Sequence, residues 1–269
     1  MNLTPLSYAG IAAGLGPAAG GITVRLLDET DSTNADARRL SAADARVCLC
    51  AARAQTAGRG RLGRSFFSPP DSGLYMTLAV PVTAPLDHAV GVTAAAAVAA
   101  CRAVRALTGL VPGIKWVNDL WLGERKVCGI LTEAVAPPSP DRPVILLVGL
   151  GINLSTAAFP DGLRAPAGSL ADFLPGDAAL DAGVLCGTVA RELLDILRAD
   201  ACFSPDTLSA YRERLLWKGC PVTCVRGNEC FSGVLRDVDD RYRLIVDADS
   251  SPRLLDSGEI SVRLAGTPL

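Results

Sequence analysis

Gln55-Thr56-Ala57-Gly58-Arg59-Gly60-Arg61-Leu62-Gly63-Arg64 is the stretch of this chain that speaks most directly about fold and chemistry. It follows Val47–Ala52, an apolar run that reads as a buried strand, and interleaves three Gly with three Arg. Gly allows a tight loop whose backbone N–H groups approach an anion, and Arg offers planar, bidentate recognition of phosphate or carboxylate. From Ala45 to Pro70 there are five Arg and no acidic residue. In a chain of net charge −2, that concentration marks a local anion site. The same residues would also suit a basic surface loop or an RGG-like RNA-binding segment. The preceding strand and the lack of further repeats weigh against both.

Two more clusters lie downstream. Lys115-Trp116-Val117-Asn118-Asp119 is followed by Arg125-Lys126-Val127-Cys128-Gly129-Ile130-Leu131-Thr132-Glu133. Lys126 opens an apolar strand, a place where a cation needs an anionic partner unless it snorkels from the strand edge. Gly149-Leu150-Gly151-Ile152-Asn153 ends the strand Val144–Val148. It is similar to a dinucleotide fingerprint, but Leu154 stands where the third Gly belongs, and the Gly14/Gly16 pair has no preceding strand. A Rossmann site is therefore excluded. Gly149 and Gly151 are expected to let another element or a ligand approach the backbone.

Outward from these motifs the pattern is mixed. Val24–Leu27 reads as a strand, Asp31-Ser32-Thr33-Asn34 as capping residues, and a helix runs on to about Leu40. Leu74–Val80 reads as a strand ended by Pro81, and the Ala-rich segment from about Leu86 to Leu107 as a helix begun by a surface His88. Ile114–Trp116, Leu120–Leu122 and Val127–Glu133 read as successive strands. Helices are expected through Val184–Leu197 and Leu208–Leu216, with a loop at Ala165–Pro175. After Trp217 come five short strands, Val222–Val225, Phe231–Leu235, Tyr242–Val246, Arg253–Leu255 and Ile260–Leu264, joined by turns such as Arg226-Gly227-Asn228 and Asp237–Asp240, which suggests a small β-barrel. The expected domains are 1–217 and 218–269.

Composition narrows the function. The chain has 269 residues, 49% hydrophobic and 20% charged, enough to bury a substantial core. With 26 basic and 28 acidic residues it lacks the basic excess of a bulk nucleic-acid binder, and a single His excludes a multi-His metal site in one chain. Nine scattered Cys, with no C-x-x-C, read as small buried hydrophobes in a reducing compartment. Met1–Val24 is uncharged and lacks the early cation of a secretory signal, and the longest apolar stretch, Ala89–Cys101, is too short to span a bilayer. The expectation is a soluble cytoplasmic protein with no membrane partner.

Taken in order and spacing, these motifs resemble the biotin protein ligases, in the short form without an N-terminal DNA-binding domain. The resemblance runs over about residues 20 to 265 and rests on Ser32-Thr33-Asn34, Gln55, the Gly58–Arg64 loop, Lys115–Asp119, Lys126–Glu133, Gly149–Asn153 and Ser257-Gly258-Glu259-Ile260-Ser261. It implies an α+β fold: a central mixed β-sheet flanked by helices as the catalytic domain, with a C-terminal SH3-like β-barrel. It implies biotin and ATP as substrates with Mg²⁺, a biotinyl-5′-AMP intermediate, and transfer to a lysine of a biotin carboxyl carrier protein domain. It leaves a homodimer open. Before Ser32 the cation is Arg25, so no DNA-binding repression is expected.

By the same resemblance, Lys126 and Arg61 are the catalytic residues. Ser32, Thr33, Asn34, Gln55, Gly58, Arg59, Gly60, Gly129, Gly149 and Gly151 would join them around biotin. Arg59, Arg61, Arg64, Phe66, Asn118, Lys126 and Asn153 would serve the nucleotide; Asp119 is a weaker candidate on the metal side, and metal ligands are unassigned. Phe66 stands where the family commonly has Trp, and Val117 where it has Pro. Rival expectations are a lipoate or octanoate ligase or transferase on the same fold, a non-catalytic biotin-binding protein, and RNA binding through the Arg/Gly loop.

Overall fold

Apolar strands long enough to be covered on both faces build the centre of the molecule. In chain order the elements begin with β1 (Asn2–Thr4), α1 (Tyr8–Leu15), β2 (Thr23–Thr30), α2 (Thr33–Ala43), β3 (Cys48–Gln55), β4 (Gly73–Val82) and α3 (Ala89–Thr108). There follow β5 (Gly113–Lys115), β6 (Asp119–Leu122), β7 (Arg125–Val135), β8 (Val144–Asn153), β9 (Ala179–Asp181), α4 (Ala182–Arg198) and α5 (Pro205–Arg212). The chain ends in β10 (Pro221–Arg226), β11 (Glu229–Val238), β12 (Leu244–Ala248), β13 (Ser251–Leu255) and β14 (Ile260–Leu264). The computed structural model describes residues 1–43, 46–82, 89–136, 142–163, 165–226, 228–248, 251–256 and 260–266. His88, Gly227 and Ser257–Glu259 lie outside them.

The main sheet has seven strands in the order β2-β3-β4-β8-β7-β6-β5, parallel between β2 and β3 and antiparallel elsewhere. It is thus the mixed sheet expected from the sequence. Its core is aliphatic, with Leu49, Leu74, Leu78, Val148 and Ile152 fully buried. Among the described residues one helix, α3, is long and apolar enough to cross a membrane; most of it is buried within the molecule. It packs on α4 and on the sheet strands β7 and β8.

The first helix was not foreseen, because an Ala/Gly-rich segment has little hydrophobic periodicity. Its small residues are there for contact: Gly10 and Gly14 of α1 lie against Gly183 and Gly187 of α4. A Cβ on Gly14 would stand 2.3 Å from the Val184 carbonyl oxygen, so the two helices pack backbone to backbone. Ser7 caps α1 and Asp181 caps α4 through their side-chain oxygens.

Several boundaries differ from expectation; among them, β8 continues through Gly149–Asn153, which puts that motif inside the strand. Strand β4 runs past Pro81 to Val82. Its pairing with β3 ends at Ala79, so a residue without an N–H costs no bond on that side. Helix α5 ends at Arg212 instead of Leu216, because Ile114 of β5 bonds the chain there: its N–H donates to Arg214 O and its carbonyl accepts from Leu216 N. Tyr242, read as a strand residue, has φ +59° and closes the Asp239–Arg243 turn; β12 begins at Leu244.

The C-terminal strands form one antiparallel sheet in the order β13-β12-β11-β10-β14, an open ladder among the described residues. Trp116 Nε1 ties it to the main domain by donating to Tyr242 O at 2.8 Å. All nine Cys are free thiols, and all but Cys220 and Cys230 are buried. Burial pushes Cys101 and Cys186 up to about 12, which keeps these thiols protonated and inert.

Candidate active site

One cavity of about 410 Å³ opens over the middle of the main sheet, a size suited to a small-molecule ligand. The floor is β4, β8 and β7. Gly129 pairs with Gly151, and Gly149 with Thr77, so the glycines cluster on adjacent strands. Their use differs from simple backbone exposure. A Cβ on Gly149 would lie 2.2 Å from Asn34 Oδ1, and one on Gly151 would lie 2.4 Å from the Phe66 ring. The glycines admit those two side chains, which form part of the wall.

The Arg/Gly stretch is a folded tongue. Phe66 N–H donates to Gly58 O (2.8 Å) and Gly60 N–H to Arg64 O (2.7 Å), with a turn at Arg61–Gly63 in which Leu62 has φ +60°. Gly58 sits at the root, where a Cβ would meet Phe66 O at 2.5 Å, and does not line the cavity. Arg59, Gly60, Arg61, Arg64 and Phe66 do.

Arg61 reaches back to the sheet: its Nη1 donates to Asn118 Oδ1 at 3.1 Å, while Asn118 Nδ2 donates to Ile130 O at 2.9 Å. Burial, opposed by the nearby Asp119 carboxylate and reinforced by Arg64, lowers its affinity for its proton, yet a guanidinium stays charged at any working pH. Desolvation makes such a cation a stronger partner for an incoming anion. Arg61 and Leu62 also line a second cavity of about 280 Å³ on the α3 side.

Lys126 Nζ lies 2.7 Å from Asp119 Oδ1, an ion pair across the β6–β7 hairpin, although that oxygen has no well-angled hydrogen bond. The backbone at Lys126 is gripped from the other side: its N–H donates to Pro166 O, and its carbonyl accepts from Gly168 N. Asn153 belongs to this support. It is buried, donates to Gly168 O at 3.0 Å and does not line the cavity, so the structure does not bring it to a bound nucleotide.

Another part of the cavity lining is polar and uncharged. Ser32, Thr33 and Asn34 stand at the start of α2. The first N–H of that helix is satisfied by a neighbour: Gln55 Oε1 accepts from Thr33 N (2.9 Å), while Asp31 accepts from Ser32 N (2.7 Å). Gln55 Nε2 donates to Ser68 Oγ (2.9 Å).

Several lining residues went unassigned in the sequence. Lys115, whose Nζ lies 4.9 Å from the ring centres of both Trp121 and Trp217, and Trp116 were visible in a motif but had no role. Val225 and Val262 bring the C-terminal sheet to the cavity wall, which no sequence pattern announces. Behind the wall, Thr77 and Glu133 hold Asn34. Thr77 carried a signal, a lone polar residue amid the apolar run Leu74–Val80.

Asp119 is the acidic residue among those lining the cavity, and no cluster of three metal-ligating side chains occurs among the described residues. This donor set fits a cation carried in on phosphate oxygens better than a resident metal, since Mg²⁺ commonly keeps its waters and uses one or two carboxylates. Cations at the tongue and at Lys126, sharing one lining with neutral hydrogen-bonding side chains, suit the joining of two anionic groups.

The model of the biotin/lipoate A/B protein ligase family matches residues 24–153. A biotin–[acetyl-CoA-carboxylase] ligase of Mycobacterium tuberculosis is 30% identical over 253 residues, covering 91% of this chain and 91% of its own length. One from Paracoccus denitrificans is 29% identical, covering 87% of this chain and 98% of its own. In fold, the chain is similar to the biotin protein ligase of Aquifex aeolicus solved with biotin and ATP: TM-score 0.74 at 24% identity, over 90% of this chain and 99% of that one.

Proposed function

The chain belongs to the biotin protein ligase family, and from that premise we propose how its residues divide the work of activating biotin with ATP and transferring it to a carboxylase. The observation that carries the proposal is that one cavity is lined by Arg59, Arg61, Arg64 and Lys126 together with Ser32, Thr33 and Gln55. In the first step the biotin carboxylate attacks the α-phosphorus of MgATP. An O–P bond forms, the bond to pyrophosphate breaks, and biotinyl-5′-AMP remains. In the second, a lysine amine of a biotin carboxyl carrier protein domain attacks the acyl carbon and AMP leaves with the electron pair.

Both reactants of the first step are anionic, so fixed cations offset their repulsion and stabilise the pentavalent phosphorus. Lys126, poised by Asp119, contacts the biotin carboxylate and the α-phosphate. Arg61, anchored on Asn118, holds the adenylate; Arg59 and Arg64 add charge on the tongue. Phe66 supplies an apolar face between the two substrates. Mg²⁺ bound with ATP would neutralise its phosphates, and Asp119, the acidic residue of the cavity lining, would be the carboxylate available to hold it. Ser32, Thr33, Asn34 and Gln55 serve the ureido ring. No protein nucleophile is required. The C-terminal sheet is read as an SH3-like barrel spanning 218–269, and the reaction is placed in the cytoplasm, in keeping with free thiols. The reading contains no DNA-binding step.

Pyrophosphate release from MgATP, with biotin, lipoate and octanoate compared, tests it. Biotin-dependent release that becomes sustained turnover when a carrier domain is added is the expected result. Dependence on lipoate or octanoate would move the substrate, and no release with any acid would overturn the assignment.

A further inference from the structure

We propose that Thr77 and Glu133, which lie behind the cavity wall, are positioning residues that fix Thr33 as a hydrogen-bond acceptor toward the N–H of the bound ring. This rests on the biotin reading above. The Glu133 carboxylate accepts from Asn34 Nδ2 at 2.7 Å and also faces Arg38 Nη2 at 3.5 Å. A carboxylate does not donate, so the Asn34 amide has one orientation, with Oδ1 turned to Thr77 Oγ1 at 2.6 Å. An amide oxygen cannot donate either. The single Thr77 proton therefore goes to Asn34.

Thr77 Oγ1 is also 2.9 Å from Thr33 Oγ1 and has no second proton for it. The Thr33 proton goes inward to Gln55 Oε1 at 3.2 Å, with Thr77 Oγ1 packed beside it. Toward the cavity Thr33 keeps lone-pair capacity only. Gln55 is oriented in the same way. Its Oε1 takes the Thr33 backbone N–H, which cannot be reversed, so Nε2 is its donor end, with one N–H beyond the bond to Ser68. An acceptor and a donor side by side match a cyclic urea, which places an N–H beside a carbonyl. They do not match the aliphatic tail of octanoate. Thr77 is fully buried and does not line the cavity, so its effect passes through Thr33 and Asn34.

The test compares KM and kcat for biotin-dependent pyrophosphate release, and the preference for biotin over octanoate, in wild type, Thr77→Val, Thr77→Ser and Glu133→Leu. Misdirecting one buried polar group typically changes affinity roughly ten- to hundredfold. Thr77→Val and Glu133→Leu are expected to raise the biotin KM by that factor and lower the biotin preference, with the ATP KM and kcat held. Thr77→Ser, which keeps the hydroxyl, is expected to restore both. A Thr77→Val enzyme with wild-type KM and preference would overturn the inference, as would a Thr77→Ser enzyme as impaired as Thr77→Val. Should Thr77→Val fail to fold, Glu133→Leu decides: an unchanged biotin KM there overturns it. A wild-type enzyme inert toward biotin would instead sink the parent reading, and the inference with it.

Discussion

Arg61 is half-buried, hydrogen-bonded to Asn118, and set at the seam between two cavities. Its work differs from that of Lys126. In the proposed division of work Lys126 meets both anions, whereas Arg61, on the tongue, holds the product of the first step. Arg61→Gly is therefore expected to keep adenylate formation but shorten the life of bound biotinyl-5′-AMP. Losing one charge-assisted hydrogen bond, about 1.5–3 kcal/mol, corresponds to roughly ten- to hundredfold faster escape. Released mixed anhydride would label lysines on bystander proteins, which blotting for biotin on an added inert protein reads directly. Retention of the intermediate as in wild type would contradict this role for the tongue.

At the scale of elements, the sequence was most legible where one physical demand dominates. Strands β3, β4, β7 and β8 are buried apolar runs, and α3 is rich in the best helix former, so both stood out. The Arg/Gly tongue was legible because charge and Gly rarely combine so densely without an anion to bind. Helix α1 was not, since its pattern answers to Gly183 and Gly187, more than 160 residues away in the chain. The end of α5 was hidden for the same reason: Ile114 decides it. In the site, Asn153 was assigned by its place in a motif, and only the backbone path of 165–168 shows that it supports Lys126 from behind. Val225 and Val262 reach the cavity through tertiary packing alone.

Across the whole molecule, tyrosines hold the two sheets together. Tyr211 O–H donates to Val117 O (3.3 Å), Tyr242 O–H donates to Cys202 O (2.6 Å), and their rings meet edge to face at 5.2 Å. Burial raises the Tyr211 and Tyr242 phenols well above their usual value, and pushes Tyr75 under the tongue up to about 12. An unfolded tyrosine ionises near about 10. Because the folded values are higher, the stability these groups lend is complete below about pH 10 and is lost as pH rises through the folded values. In an alkaline titration, phenolate absorbance from these three is expected to lag and arrive together with loss of far-UV circular dichroism. Full ionisation near pH 10 with the fold intact would contradict it.

The cavity takes its walls from both sheets, while its charge comes from the tongue and from β5, β6 and β7. At the centre of that charge is Lys126. The most direct test of the account is single-turnover formation of biotinyl-5′-AMP by Lys126→Ala beside wild type, with biotin and MgATP saturating. Removal of one preorganised cation costs about 3–4 kcal/mol in the transition state, so the rate is expected to fall roughly a hundred- to a thousandfold. Adenylate formed by Lys126→Ala at the wild-type rate would contradict the account.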